Sequence, residues 1–268
     1  MPARFSISRH SRSPIAVSLA LAIAVPLTAS AAVVDNSTNQ HDGGTVFVMT
    51  NAASENRVLA FDREADGSLT HESSFRTGGR GTGANLGTQG ALAMSESGRW
   101  LLAVNAGSNS VSLFLVYGNY LLRSDTESSG GTAPVSVAVK NEIVYVLNGG
   151  SGDVQGFRID LYGRLQPIAN SSRSVGGAGT GSAEVSFNRD GDLLAVTQKA
   201  TGKVLTWAVD GNGLLGPVTT TNSPTPTPLG VALGRPDPTL VSETNRGATK
   251  GRNQTTSTHQ GHGQESVL

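Results

Sequence analysis

Four stretches of this chain repeat one another. They are TVFVMTNAASENRVLAFDREADGSLT (45–70), ALAMSESGRWLLAVNAGSNSVSLFLVYGNYLL (91–122), VSVAVKNEIVYVLNGGSGDVQGFRIDLYGRLQPI (135–168) and EVSFNRDGDLLAVTQKATGKVLTWAVDGNGLL (184–215). Asn51, Asn105, Asn148 and Gln198 mark equivalent points, spaced 54, 43 and 50 residues apart. Phe61, Phe114, Phe157 and Trp207 mark a second set. Such a repeat constrains the fold before any single residue does, because each unit must bury its apolar face against the next.

Each unit reads as strand, polar turn, strand, Gly-containing loop, strand, Gly turn, strand. The runs VFVM, WLLAV, IVYVL and LLAVT are apolar on nearly every residue, as expected of strands covered on both faces. The next strands, RVLAF, SVSLF and KVLTW, alternate. Hairpin turns are marked at Asp66-Gly67, Tyr117-Gly118-Asn119, Tyr162-Gly163-Arg164 and Asp210-Gly211. No unit holds a helix-length stretch of 3.6 periodicity. The chain is therefore expected to be all-β, a β-propeller of four-stranded antiparallel blades, with about four to four and a half blades present.

With strands labelled a to d from the channel outward, unit one is expected to begin at strand b, because residues 33–44 are polar and Gly-rich. That leaves a vacant inner position, which a C-terminal strand would fill to close the ring. LGVAL (229–233) and TLVSETN (239–245) match strands a and b of a fifth unit. Residues 246–268 lack an apolar run and are expected to be a disordered tail. The chain is then a shortened ring, an open arc, or a piece that completes itself by association of its open sheet edges.

The composition fits. There are 34 glycines and only 15% charged residues, which suits short strands and tight turns. Twenty basic and twenty acidic residues argue against a nucleic-acid or anionic-membrane partner. Residues 1–31 read as a cleavable signal peptide: Arg4, Arg9 and Arg12, then the apolar run 15–27, then Ala29-Ser30-Ala31. A polar leader (32–44) and the blades (45–245) follow. The mature chain is expected to be secreted or periplasmic, without a membrane anchor. It has no Cys, so no disulfide supports the fold.

The strand b to strand c elements VFVMTNAASENRVLAFDREADGSLT, WLLAVNAGSNSVSLF and IVYVLNGGSGDVQGFRID resemble the lactonase family of seven-bladed β-propellers. So do the Gly-rich approaches TGGRGTGANLGTQGALAMSESGRWL and VGGAGTGSAEVSFNRDGDLLAVTQKA. The family includes 6-phosphogluconolactonase-like and carboxymuconate-cyclase-like proteins, and the resemblance spans about residues 43–245. It implies a seven-bladed fold and, for some members, opening or closing of a lactone ring. It also implies a His, Arg and Glu set on the loop-bearing face. This chain departs there: the repeats contain only His71, on an outer strand, with His41 in the leader and His259 and His262 in the tail.

Ring opening needs a base to activate water and a donor for the oxyanion. Arg80 and Glu184 are the only charged residues in the two long Gly-rich connections. Glu184, at the start of strand a of unit four, is the candidate base, and Arg80 the candidate clamp for a carboxylate or phosphate. Gln89, Asn105, Asn148 and Lys199 are the candidate substrate-binding groups. The recurrence of Asn51, Asn105 and Asn148 equally fits a structural role in tight loops. GGRGTG and GGAGTG lack the Lys-Ser/Thr and the helix of a phosphate loop. No metal-ligand spacing and no GxSxG element occur, so neither cofactor nor metal is expected. Three readings stay open: a hydrolase or cyclase acting on a small lactone or carboxylate, a non-enzymatic exported propeller binding a protein or glycan, and a truncated inactive member.

Overall fold

The computed structural model describes residues 31–34, 44–224, 226–233, 238–243 and 252–257. The first blade is β1 (Ala31–Val34), β2 (Thr45–Met49), β3 (Arg57–Arg63) and β4 (Leu69–Arg76). The second is β5 (Leu92–Met94), β6 (Trp100–Asn105), β7 (Ser110–Tyr117) and β8 (Tyr120–Ser128). The third is β9 (Pro134–Lys140), β10 (Ile143–Asn148) and β11 (Asp153–Ile159), with an outer strand in two pieces, β12 (Leu165–Pro167) and β13 (Arg173–Ser174). The fourth is β14 (Ser182–Phe187), β15 (Leu193–Gln198), β16 (Lys203–Ala208) and β17 (Thr219–Asn222). A fifth, three-stranded sheet is β18 (Pro228–Leu233), β19 (Pro238–Glu243) and β20 (Arg252–Ser257).

Every named sheet pairs in sequence order and antiparallel, the up-and-down meander of a propeller blade. The inner strands β1, β5, β9, β14 and β18 touch in succession around the channel. The all-β propeller expected from the repeat is what the chain forms.

Two terminal expectations are corrected. Blade one has an inner strand: β1 pairs with β2 in the register Ala31↔Val48 to Val34↔Thr45, so no inner position is vacant there. Its residues, AAVV, are apolar and sit just before the polar stretch that suggested a missing strand; they straddle the expected signal-peptide end. Residues 1–30 lie outside the described residues. Within the expected tail, Arg252–Ser257 forms a third strand on β19. An outer strand is held by main-chain hydrogen bonds, which leave no hydropathy signal. The remainder of 246–268 lies outside the described residues.

The register also adjusts the repeat. Val46↔Phe61, Leu101↔Phe114, Val144↔Phe157 and Leu194↔Trp207 are equivalent pairs. Counting on from them, the blade-one equivalent of Asn105, Asn148 and Gln198 is Thr50 rather than Asn51. Blade one has a longer b–c loop, in which Asn51 takes a left-handed φ of 50°.

The core lies between blades. Phe47, Met49, Val58 and Ala60 of blade one pack with blades two and three around Leu101, Phe114 and Phe157. Trp207, Tyr145, Leu147 and Leu194 fill the space between blades three and four. Ala195, Val204, Val231 and Val241 join blades four and five. Phe114, Phe157 and Trp207 are at most 1% exposed. Phe61 is only half-buried, because its face has no preceding described blade to pack on.

Candidate functional site

The inner strands of blades three, four and five share one irregularity. In each, a residue is skipped in pairing with strand b: Val135, Ala183 and Leu229, respectively. Such a bulge turns a carbonyl out of the ladder and re-aims the following side chain. All three carbonyls find acceptor roles elsewhere. Thr88 Oγ1 donates to Val135 O at 3.0 Å, Gln89 N to Ala183 O at 3.0 Å, and Thr197 Oγ1 to Leu229 O at 2.7 Å.

The residue after the bulge is Ser136 in blade three, Glu184 in blade four and Gly230 in blade five. Counting from Leu92↔Ala103, Ala91 is the blade-two equivalent. Ser136 Oγ accepts a hydrogen bond from Val185 N of the next inner strand at 3.1 Å. Glu184 Oε2 does the same for Val231 N at 2.6 Å. In blade two the equivalent link to Val137 N is made by the Gly90 carbonyl, at 2.7 Å. The inner strands of blades three, four and five thus each have one main-chain N–H satisfied by the blade before. Only blade four does this with an ionisable group.

Burial pushes the Glu184 carboxyl up to about 7, against the opposing effect of the Val231 N–H. Gly90 lies against it: a Cβ added at Gly90 would stand 3.9 Å from Glu184 Cγ and 2.7 Å from Ser136 Oγ. Gln89 is exposed, and its Oε1 lies beside Gly230, 2.6 Å from where a Cβ there would be. Ser242 Oγ accepts from Gly230 N at 2.9 Å. Lys199, in the b–c loop of blade four, donates from Nζ to the carbonyl of Gly87. Burial lowers its pKa. Glu184, Gln89 and Lys199 are therefore brought together by the segment 87–90.

The other candidates lie elsewhere. Arg80 is exposed, its N–H donating to Ser108 Oγ at 2.9 Å and its carbonyl accepting from Gly107 N at 2.9 Å. These contacts tie it to the blade-two b–c loop rather than to the Glu184 group.

The substrate-binding expectation for Asn105 and Asn148 is corrected, since both are 0% exposed. Asn105 Nδ2 donates to Ser112 Oγ at 2.8 Å, and its Oδ1 accepts from Asn56 Nδ2 at 3.0 Å. Asn148 Nδ2 donates to Ser129 O at 3.1 Å and Asp153 Oδ1 at 2.8 Å. These amides tie b–c loops to neighbouring strands, which explains their recurrence in the repeat. His71, exposed on β4, meets Phe61 edge-on at 5.4 Å, away from the inner strands. Among the described residues, no group of three or more His, Asp or Glu is placed to hold a metal.

The sequence did not point to Ser136, Thr88 or the bulges. Ser136 and Glu184 stand 48 residues apart, two short of the 50-residue step from Asn148 to Gln198, so their equivalence shows only in the strand register. A bulge has no residue signature of its own.

Comparison with known proteins gives the same architecture. Among solved structures, the chain is similar to the periplasmic gluconolactonase of Pseudomonas aeruginosa. The two are 17% identical with a TM-score of 0.59, over 80% of this chain and 69% of that one. A 6-phosphogluconolactonase candidate from Bacteroides fragilis is 16% identical with a TM-score of 0.56, over 80% and 68% of the two chains. The PQQ-bound aldose sugar dehydrogenase of Streptomyces coelicolor is 12% identical with a TM-score of 0.54, over 84% and 78%. At such identities the likeness is one of fold, and it extends to proteins of different chemistry. No curated protein sequence matches the chain. The family model described as "Lactonase, 7-bladed beta-propeller" matches residues 36–180, more than half of the 268. By that match the chain belongs to the lactonase family of seven-bladed β-propellers.

Proposed function

We propose that this protein hydrolyses a small lactone, with Glu184 as the general base. One observation carries the reading: at a position where a serine hydroxyl, Ser136, serves the joint between inner strands, blade four places a carboxyl group that titrates near neutral pH. The joint needs only an acceptor. A half-buried acid poised near 7 adds what ring opening requires.

In the proposed step Glu184 takes a proton from water as its oxygen bonds to the lactone carbonyl carbon. The ring C–O bond then breaks, and the proton passes from Glu184 to the departing alkoxide oxygen, giving a hydroxy acid. Gln89, exposed beside Gly230, is positioned to donate its side-chain N–H to the developing oxyanion or a ring hydroxyl. No role for Arg80 at this group is included, because its contacts lie with Ser108 and Gly107.

Location outside the cytoplasm is part of the proposal. It rests on the N-terminal pattern of basic, apolar and small residues, and the similar gluconolactonase of Pseudomonas aeruginosa is periplasmic. The test is turnover of glucono-δ-lactone and a panel of γ- and δ-lactones by the purified protein, against the buffer rate. Turnover that is lost in E184Q supports the reading. No turnover of any lactone, or full activity in E184Q, overturns it.

A further inference from the structure

The segment Gly87–Gly90 does not follow the blade it leads into. It crosses the inner strands and is held at every residue. Gly87 O accepts from Lys199 Nζ of blade four, and Thr88 Oγ1 donates to Val135 O of blade three. Gln89 N donates to Ala183 O of blade four, and Gly90 O accepts from Val137 N of blade three. Its two ends are glycines with left-handed φ angles of 61° and 69°, a conformation that other residues rarely take. The strap therefore ties blade two to blades three and four, and brings Gln89 to Gly230 of blade five.

Three of the four anchors are main-chain groups of the inner strands. Lys199 is different. It reaches the strap from the outer b–c loop with a long side chain, and among the described residues no carboxylate pairs with its ammonium. An ammonium half-withdrawn from water with only a carbonyl partner is held there by that contact. Its equivalents at the first b–c loop position are Asn51, Ala106 and Gly149; Asn51 reaches the same Gly-rich connection, its Nδ2 donating to Ala84 O at 2.7 Å, but with an uncharged amide and short of the strap.

We propose that Gly87–Gly90 is a specificity strap over the Glu184 position, and that Lys199 is the latch that holds it down. Lys199 is then a positioning residue that acts through the strap, not a group that binds substrate directly. The strap lies against Glu184 and Ser136, so it limits the bulk of a ring that can reach the carboxylate from this side. The consequence for specificity rests on the lactonase reading; the latch itself does not.

The test uses the full chain and reads the two parts separately. Amide hydrogen exchange at Gln89, measured without any substrate, reports the strap. K199M is expected to speed that exchange about tenfold, as for loss of one hydrogen bond to a charged donor, while K199R keeps it slow. T88V removes a second anchor without changing charge and is expected to act in the same direction. Unchanged exchange at Gln89 in K199M overturns the latch whatever T88V does, and if K199M fails to fold, K199A is read in its place. Where lactones are turned over, K199M is expected to raise kcat/KM for bulky rings relative to small ones, chiefly through KM. Faster exchange with an unchanged ratio overturns the specificity role and leaves the lactonase reading standing.

Discussion

The joints on either side of blade four use the same geometry with different chemistry. Between blades three and four, Ser136 Oγ accepts from Val185 N at 3.1 Å; between blades four and five, Glu184 Oε2 accepts from Val231 N at 2.6 Å. Both side chains follow a bulge, both come from the inner strand, and both satisfy the equivalent N–H of the next blade. The hydroxyl carries no charge and remains neutral at any working pH. The carboxyl, half-buried beside the strap, is held near the middle of its titration at neutral pH. The difference separates what the propeller needs, an acceptor, from what only an acid provides.

The comparison breaks most visibly at the carboxyl. E184Q keeps the shape and an acceptor but removes the base, and is expected to lower kcat for lactone opening by about 10²–10⁴-fold, measured by steady-state kinetics. In the intact protein kcat/KM is expected to rise with pH through about 7, as the base ionises.

Stability should move the opposite way. The folded pKa of Glu184 lies near 7, above the ordinary 4.5, so the folded state binds the proton more tightly than the unfolded state. Below pH 4.5 both states are protonated and nothing is lost. From there upward the unfolded chain releases the proton first, and stability falls until about pH 7, by up to about 3 kcal/mol. Urea titrations across this range should show that fall, and E184Q should remove it.

Smaller effects sharpen the serine side. S136A leaves the Val185 N–H buried without its acceptor and should cost about 1–2 kcal/mol in chemical denaturation, with no change in the pH profile. Y145F, which removes the hydrogen bond of 2.6 Å from Tyr145 Oη to Gly213 O, should cost about 1 kcal/mol. Burial pushes that phenol up to about 12, so its loss should also be independent of pH in the neutral range.

The repeat made the propeller legible, because apolar b strands and recurring aromatics such as Phe114, Phe157 and Trp207 report burial between blades. Glu184 and Gln89 were legible as polar groups at the start of inner strands. Their relation was not. It depends on the bulges at Val135, Ala183 and Leu229, which are main-chain events, and on contacts such as Lys199 to Gly87 that span more than a hundred residues. Asn105 and Asn148 misled for the converse reason: a recurring amide looks the same in sequence whether it faces a ligand or a neighbouring strand. Ala31–Val34 was hidden by being too short to separate from the apolar segment before it.

The most direct measurement replaces Glu184 with the residue that blade three uses in its place. E184S should fold cooperatively, with a thermal midpoint within a few degrees of the parent, because a hydroxyl already serves the equivalent joint. It should also show no lactone turnover above the buffer rate at any pH from 5 to 9. If E184S retains turnover with the same rise near pH 7, Glu184 is not the base, and the contrast between the two joints is one of packing alone.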